Sequence, residues 1–361
     1  LCVGGTSAKP CEDAVGYGET YCFVIDGASG LSKINIVDEK SDAAWFATQV
    51  KGKLCSRLDH DHETPTNAIL SEIISGINEE YHKIALEKGI FYPATLYKDA
   101  TSQVRDKLIA LLEEEYDNIV NINNILLALA TIGDEVVVDI FQKWKENPPL
   151  WRKELCVDPI EYAFEGGWCM EDGVKKELTY HTSYALEEVA QCEAEKNVFG
   201  GLSEDECPQC GAKYVDILVL DGKDERLDFL GINGKIKIKT CMNCLPWEEY
   251  ILCKYEEDGE SKVIAKECAC CEEPEEEDWD IEKYFILSKE PVAKYFCSDW
   301  WSSAIGGMPT YVDDAKYVIC PECGKRMKHL AQLGGQYTEY GNIYVQICKK
   351  CKMVATLYQQ S

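Results

Sequence analysis

Cys207-Pro208-Gln209-Cys210-Gly211 is answered about thirty residues on by Cys241-Met242-Asn243-Cys244, and Cys320-Pro321-Glu322-Cys323-Gly324 about 24 residues on by Cys348-Lys349-Lys350-Cys351. Two residues between cysteines let both sulfurs of a tight turn point at one ion, and a following glycine supplies the backbone freedom such a turn needs. Strand-like runs, Tyr214 to Leu220 and Ile232 to Ile238, lie between the first two pairs. A ribbon folding back on itself would bring the paired turns together, even though the gaps exceed the shortest zinc-finger spacings. Four thiolates complete a tetrahedral site and leave no open position for water or substrate, which points to structural zinc rather than catalysis. A redox dithiol or an iron site uses the same residues and stays open as an alternative. The expectation is two zinc ions, each closing its own β-rich ribbon and each contributing on the order of 10–16 kcal/mol of apparent folding energy.

Working outward, the chain has 361 residues, enough for several compact units, and its 64 acidic against 37 basic residues give a formal charge of −27. Such a charge repels phosphate backbones and anionic membranes, so neither nucleic acid nor a membrane is the expected partner. Twenty cysteines would suit a secreted disulfide scaffold, but the opening residues carry no basic and apolar leader pattern and no run is apolar enough to span a bilayer. A soluble, cytoplasmic chain is expected. Outside the paired turns, Cys2, Cys11, Cys22, Cys55, Cys156, Cys169, Cys192, Cys253 and Cys297 read as ordinary thiols. Cys268-Ala269-Cys270-Cys271 lacks enough ligands for a third ion, and His329 reads as a surface or packing histidine.

Toward the N-terminus, Tyr21-Cys22-Phe23-Val24-Ile25 is strand-like and stops at the turn signal Asp26-Gly27. The spacing of Ala44, Ala47, Val50 and Leu54, then Ile69, Ile73, Ile77, Tyr81 and Ile84, predicts helices over about 42–58 and 66–86. Strands followed by helices suggest helices packed on an antiparallel sheet. From Thr101 the period stays helical through Val104, Leu108 and Leu112, then Ile122, Ile125, Leu126 and Leu129. Gly133-Asp134 breaks the run, with Asp134 placed to cap a helix through Val137, Ile140, Phe141 and Trp144. Trp151, Tyr162, Phe164, Trp168, Tyr180 and Tyr184, between turn signals, read as a hairpin closing the helical unit. The run Glu272-Glu273-Pro274-Glu275-Glu276-Glu277-Asp278 reads as a solvated linker.

Three resemblances follow. Lys9-Pro10-Cys11-Glu12-Asp13-Ala14 with Phe23-Val24-Ile25-Asp26-Gly27 resembles the start of a PPM-type, metal-dependent Ser/Thr protein phosphatase. That likeness implies two Mg or Mn ions bridged by Asp26, with the Gly27 carbonyl offered to them, Glu12 and Asp13 supporting the water shell, and a metal-held water that attacks a phosphoryl group. It covers about the first 88 residues, and the family's later aspartates find no match: Asp117-Asn118, Gly133-Asp134 and Ser298-Asp299 are in the wrong contexts. The helix pair around Leu127-Ala128-Leu129-Ala130-Thr131-Ile132-Gly133-Asp134 resembles a HEAT repeat, which buries its apolar faces only against neighbours. Trp300 to Pro309, with Gly306-Gly307-Met308-Pro309, then the second CPxCG turn, Met327 to Gln332 and the closing CxxC resemble the YwqG-like domains, a β-rich group of unknown function.

The fold expected is an α+β multidomain chain: a truncated phosphatase-like α/β segment over 1–88, a HEAT-like helical unit with an aromatic hairpin over 89–200, and zinc ribbons over 201–271 and 272–361. Two functions compete. One is a non-catalytic, zinc-stabilised interaction protein with a protein partner; the other is a Mn- or Mg-dependent phosphatase. A zinc-ribbon nucleic-acid binder fits the cysteines but opposes the charge.

Overall fold

The computed structural model of this chain describes residues 12–26, 35–37, 41–113, 119–191, 197–264, 283–299, 301–335, 337 and 341–360. They fall into two compact units, Leu1–Gly166 and Gly167–Ser361, and the chain as a whole is a mixed α+β, multidomain fold. The Cys268–Cys271 cluster and the acidic run lie outside the described residues.

The first unit opens with the hairpin β1 (Ala14–Tyr17) and β2 (Cys22–Ile25), paired with Ala14 opposite Ile25. Helices α1 (Asp42–Leu58) and α2 (Thr66–Glu87) follow within a residue of the predicted bounds. Ser41 caps α1 by accepting from the Ala44 N–H at 3.1 Å. Asp42 accepts from the Ile36 and Val37 amides and from the Tyr81 hydroxyl, tying a preceding loop and α2 to the start of α1. Val37, Trp45, Val50 and Ile77 form the core here, with Ile25 of β2 packed against it. The hairpin is thus the sheet on which these helices pack.

Three further helices, α3 (Ser102–Glu113), α4 (Ile119–Ile132) and α5 (Glu135–Glu146), complete the unit. Gly133 turns with φ +53°, and Asp134 caps α5 by accepting from the Val137 amide at 3.0 Å. The strongly apolar α4 buries Ile122, Ile125, Leu126, Ala128, Leu129 and Ala130, while Val120 in its first turn stays exposed. Trp151 sits edge-on to Trp144 and donates to the Leu112 carbonyl, sealing the end of α3.

The second unit departs from the expected domain plan. The aromatic hairpin, β3 (Trp168–Glu171) and β4 (Val174–Glu177), belongs to it rather than to the helical unit. Its turn uses Asp172 and Gly173, both at positive φ. Beyond it lie β5 (Ser183–Glu188), β6 (Gly201–Glu206), β7 (Lys213–Asp221), β8 (Lys235–Thr240), β9 (Ile251–Tyr255) and β10 (Ser261–Ile264). Then come β11 (Phe285–Leu287), β12 (Ala304–Gly306), β13 (Lys328–Leu333), β14 (Gly341–Cys348) and β15 (Met353–Gln360).

The two expected ribbons do not stand alone. Strands β6, β7 and β8 form one antiparallel sheet, while an eight-stranded sheet runs β10-β9-β15-β14-β13-β12-β5-β11. That larger sheet takes strands from three of the four expected segments, so the boundaries drawn near 200 and 271 fall inside it. The physical reason is burial: a ribbon of short strands has one apolar face to cover and too little chain to cover it. Here Leu218, Leu220, Ile236 and Ile238 of the small sheet share one core with Leu330, Val345, Ile347 and Val354 of the large one.

The opposite face of the large sheet is covered by a loop rather than a sheet. Its amides are met by side chains: Thr310 N–H donates to Gln332 Oε1 (2.8 Å), Val312 N–H to Gln359 Oε1 (3.0 Å) and Val318 N–H to Gln346 Oε1 (2.8 Å). Gln332 and Gln346 are fully buried and Gln359 half-buried, and unpartnered amides there would be costly. This loop leads directly into the second cysteine turn.

Candidate metal centres

The two CPxCG turns are built by the same backbone bonds. In the first CPxCG turn the Gly211 N–H donates to the Cys207 carbonyl and the Cys207 N–H to the Ala212 carbonyl, both at 2.8 Å. In the second, Gly324 N–H donates to the Cys320 carbonyl at 2.9 Å and Cys320 N–H to the Lys325 carbonyl at 2.8 Å. Gly211 and Gly324 sit at φ +78° and +69° with open space where a Cβ would be. It is the backbone conformation, not crowding, that calls for glycine. The partner turns follow β8 and join β14 to β15, so the pairing of distant strands brings each couple together.

Cys207, Cys210, Cys241 and Cys244 form one group, and Cys320, Cys323, Cys348 and Cys351 the other, with all ligand atoms of a group within 4.8 Å of one another. Sulfur separations are 3.8 Å for Cys207–Cys244, 3.5 Å for Cys210–Cys241 and 3.7 Å for Cys323–Cys348. A tetrahedron with metal–sulfur bonds of ~2.3 Å has edges of about 3.8 Å, so both groups fit an ion such as zinc. Among the described residues these are the groups of metal-ligating side chains that converge in this way.

The electrostatics support the fit. In the first group, burial opposes ionisation of Cys207, yet the amides of Cys210 and Gln209 hold its thiol below the ordinary range. The Lys325 amide does the same for Cys323. Cys241 and Cys348 are pushed up, by burial first and then by their sulfur neighbours. Four thiols this close cannot all ionise alone, whereas a divalent cation would reverse that repulsion. Tyr214 lies against Cys207, its hydroxyl held up by burial and by the cysteine's charge, and stands as an outer support of the first group.

No family model matches this chain, and no solved structure matches it. It is 30% identical to the uncharacterized protein YpfL of Salmonella typhimurium, over an alignment that covers 93% of this chain and 88% of that protein. The chain belongs to the YpfL family. The alignment runs through both units, so the joining of the helical unit to the cysteine-bearing one is not peculiar to this sequence.

In this YpfL-family chain the N-terminal carboxylates do not assemble as the cysteines do. The hairpin register brings Asp13 and Asp26 to the same end of β1 and β2, but both are exposed, and Glu12 is half-buried. Gly27 and Cys11 lie outside the described residues. Among the described residues no group of three carboxylates gathers there, so the structure lends Mg or Mn no support. Of the substitute aspartates, Asp134 is a helix cap and Asp299 caps a loop through Trp301 and Ser302; Asp117 and Asn118 are outside the described residues.

Other supports carry no motif. Glu171 accepts from the Arg326 amide, and Lys325 pairs with Asp172 at 2.5 Å, so the β3–β4 hairpin braces the second CPxCG turn. Lys254 of β9 pairs with Glu322 inside the same turn at 2.9 Å. His329 is a packing histidine, wholly buried on β13, with neither ring nitrogen hydrogen-bonded.

Proposed function

We propose that this YpfL-family protein is a zinc-stabilised, non-catalytic interaction protein. The observation carrying this reading is the complete four-sulfur ligation available at both centres. An ion with four thiolates has no vacant position at which to polarise a substrate or activate water. Its contribution is to hold the paired turns together beside the core that the two sheets share.

A protein partner is supported by the apolar side chains left outside the cores beside these centres. Trp247 follows Cys244 closely and is 68% exposed, and Ile319 precedes Cys320 and is 52% exposed. Large exposed side chains of this kind are enriched at contact surfaces. The net charge of −27 disfavours nucleic acid. Among the described residues no helix is long and apolar enough to cross a membrane.

Metal analysis of the purified protein tests the reading, with two zinc ions per chain expected. Iron, or no metal at all, would overturn it. The phosphatase alternative is tested beside it: no Mn-dependent hydrolysis of an aryl phosphate is expected, and hydrolysis lost on Asp26→Ala would replace this reading with that one.

A further inference from the structure

The two centres share a ligand set but not an environment. In the first, all four cysteines are buried, none above 8% exposure. In the second, only Cys320 is buried, while Cys323, Cys348 and Cys351 are half-exposed. The charge around them differs as well. Glu204-Asp205-Glu206 runs into the first CPxCG turn, and its closing turn holds the uncharged Met242 and Asn243. The closing turn of the second holds Lys349 and Lys350 between its cysteines, while Lys352 directly after pairs with Glu256 at 2.7 Å and Glu322 of its first turn pairs with Lys254. Reactive thiolates occur where sulfur is reachable and the local charge is positive, and buried ones are inert.

We propose that the second centre is a modification site at which hydrogen peroxide oxidises Cys323 and Cys348 to a disulfide and thereby releases the metal, while the first centre is spared. This rests on the reading that both groups hold zinc. In the first step the Cys323 thiolate attacks the peroxide O–O bond and becomes a sulfenic acid, and the departing hydroxide takes a proton to form water. Cys348, whose sulfur lies 3.7 Å from that of Cys323, then attacks the sulfenic sulfur. The S–S bond forms, and the oxygen leaves as a second hydroxide. Two electrons pass from the pair of sulfurs to the peroxide, and both peroxide oxygens end as water. Only Cys320 and Cys351 then remain as ligands, too few to retain the ion. The sulfur approach to about 2.05 Å moves turns that are half-exposed, whereas the same movement in the first centre would disturb its buried surroundings.

The test uses the full-length, metal-loaded protein, treated with hydrogen peroxide in the presence of a chromogenic zinc chelator and followed by thiol alkylation and peptide mapping. About one zinc per chain is expected to be released while about one stays bound. The peptides bearing Cys323 and Cys348 should be disulfide-linked, with Cys207, Cys210, Cys241 and Cys244 recovered as thiols. A reductant with added zinc should restore two ions per chain. Release of both ions together, release of none, or oxidation mapped to the first centre would each overturn the proposal. Metal content before treatment separates the two readings: a chain isolated without zinc fails the structural-zinc reading and this proposal with it, whereas two bound zinc ions that resist peroxide overturn this proposal alone.

Discussion

His329 shows how a single side chain can carry a pH dependence without any role in chemistry. It is fully buried with no hydrogen bond to either ring nitrogen among the described residues, and burial pushes its pKa down from 6.5 to about 3. The unfolded chain therefore binds a proton that the folded chain refuses between those two values. Its contribution to stability is intact above about pH 6.5 and is lost as pH falls toward 3, at about 1.4 kcal/mol for each pH unit. With zinc present throughout, the urea midpoint of His329→Leu should fall less steeply between pH 6.5 and 4.5 than that of the parent. Equal slopes would show that other groups set the acid limit. Glycines offer a second contrast at this scale. Gly324→Ala meets no neighbour and should cost about 1 kcal/mol for its positive φ alone. At Gly307 the added carbon would lie 2.8 Å from the Lys294 carbonyl as well, so Gly307→Ala should lower the melting temperature more.

Among the elements, those governed by neighbours in sequence were the legible ones. The 3.6-residue period of Ala47, Val50 and Leu54 placed α1, and Asp134 after Gly133 marked the start of α5, because burial on one face and capping are local demands. The strand order was not legible. Nothing in Ile251–Tyr255 says that Met353–Gln360 pairs along one of its edges, since pairing over such a separation depends on shared cores rather than local pattern. The four-cysteine groups were readable despite this, because each ion demands a fixed number of sulfurs whatever strand supplies them. The supports Tyr214, Glu171 and Lys254 were not, as no spacing relates them to the cysteines. Asp134 also illustrates a cap with a second duty, pairing with Arg105 at 2.5 Å. Asp134→Ala should cost about 1–2 kcal/mol, mostly from the uncapped amides. Gln346→Leu should cost more, on the order of 2–4 kcal/mol. It strands the buried Val318 amide and frees the Lys316 carbonyl from the loop over the large sheet. Chemical denaturation of the two variants reads that ranking directly.

At the scale of the molecule, metal and fold would, on the zinc reading, be linked in the one unit that holds both cysteine groups. Both cysteine groups lie in Gly167–Ser361, where the second couples the loop over the large sheet to β14 and β15 and the first closes the small sheet packed against it. Because the two sheets share a core, loss of either zinc ion, on the proposed reading, would weaken the whole unit rather than a detachable ribbon. The helices of Leu1–Gly166 hold together through Leu108, Ile125, Leu129 and Phe141, with no metal-ligating group among their described residues. Stripping the protein with a strong chelator under reducing conditions should therefore abolish the melting transition of the β-rich unit or lower it by tens of degrees. The helical circular-dichroism signal should melt where it did before. Structural zinc contributes on the order of 10 kcal/mol of apparent folding energy, comparable to the entire stability of a typical domain, so a small shift is not what this linkage allows. A single transition moving together for both signals would show that the two units fold as one, and an unchanged β-unit would show that the sheets stand without their metals.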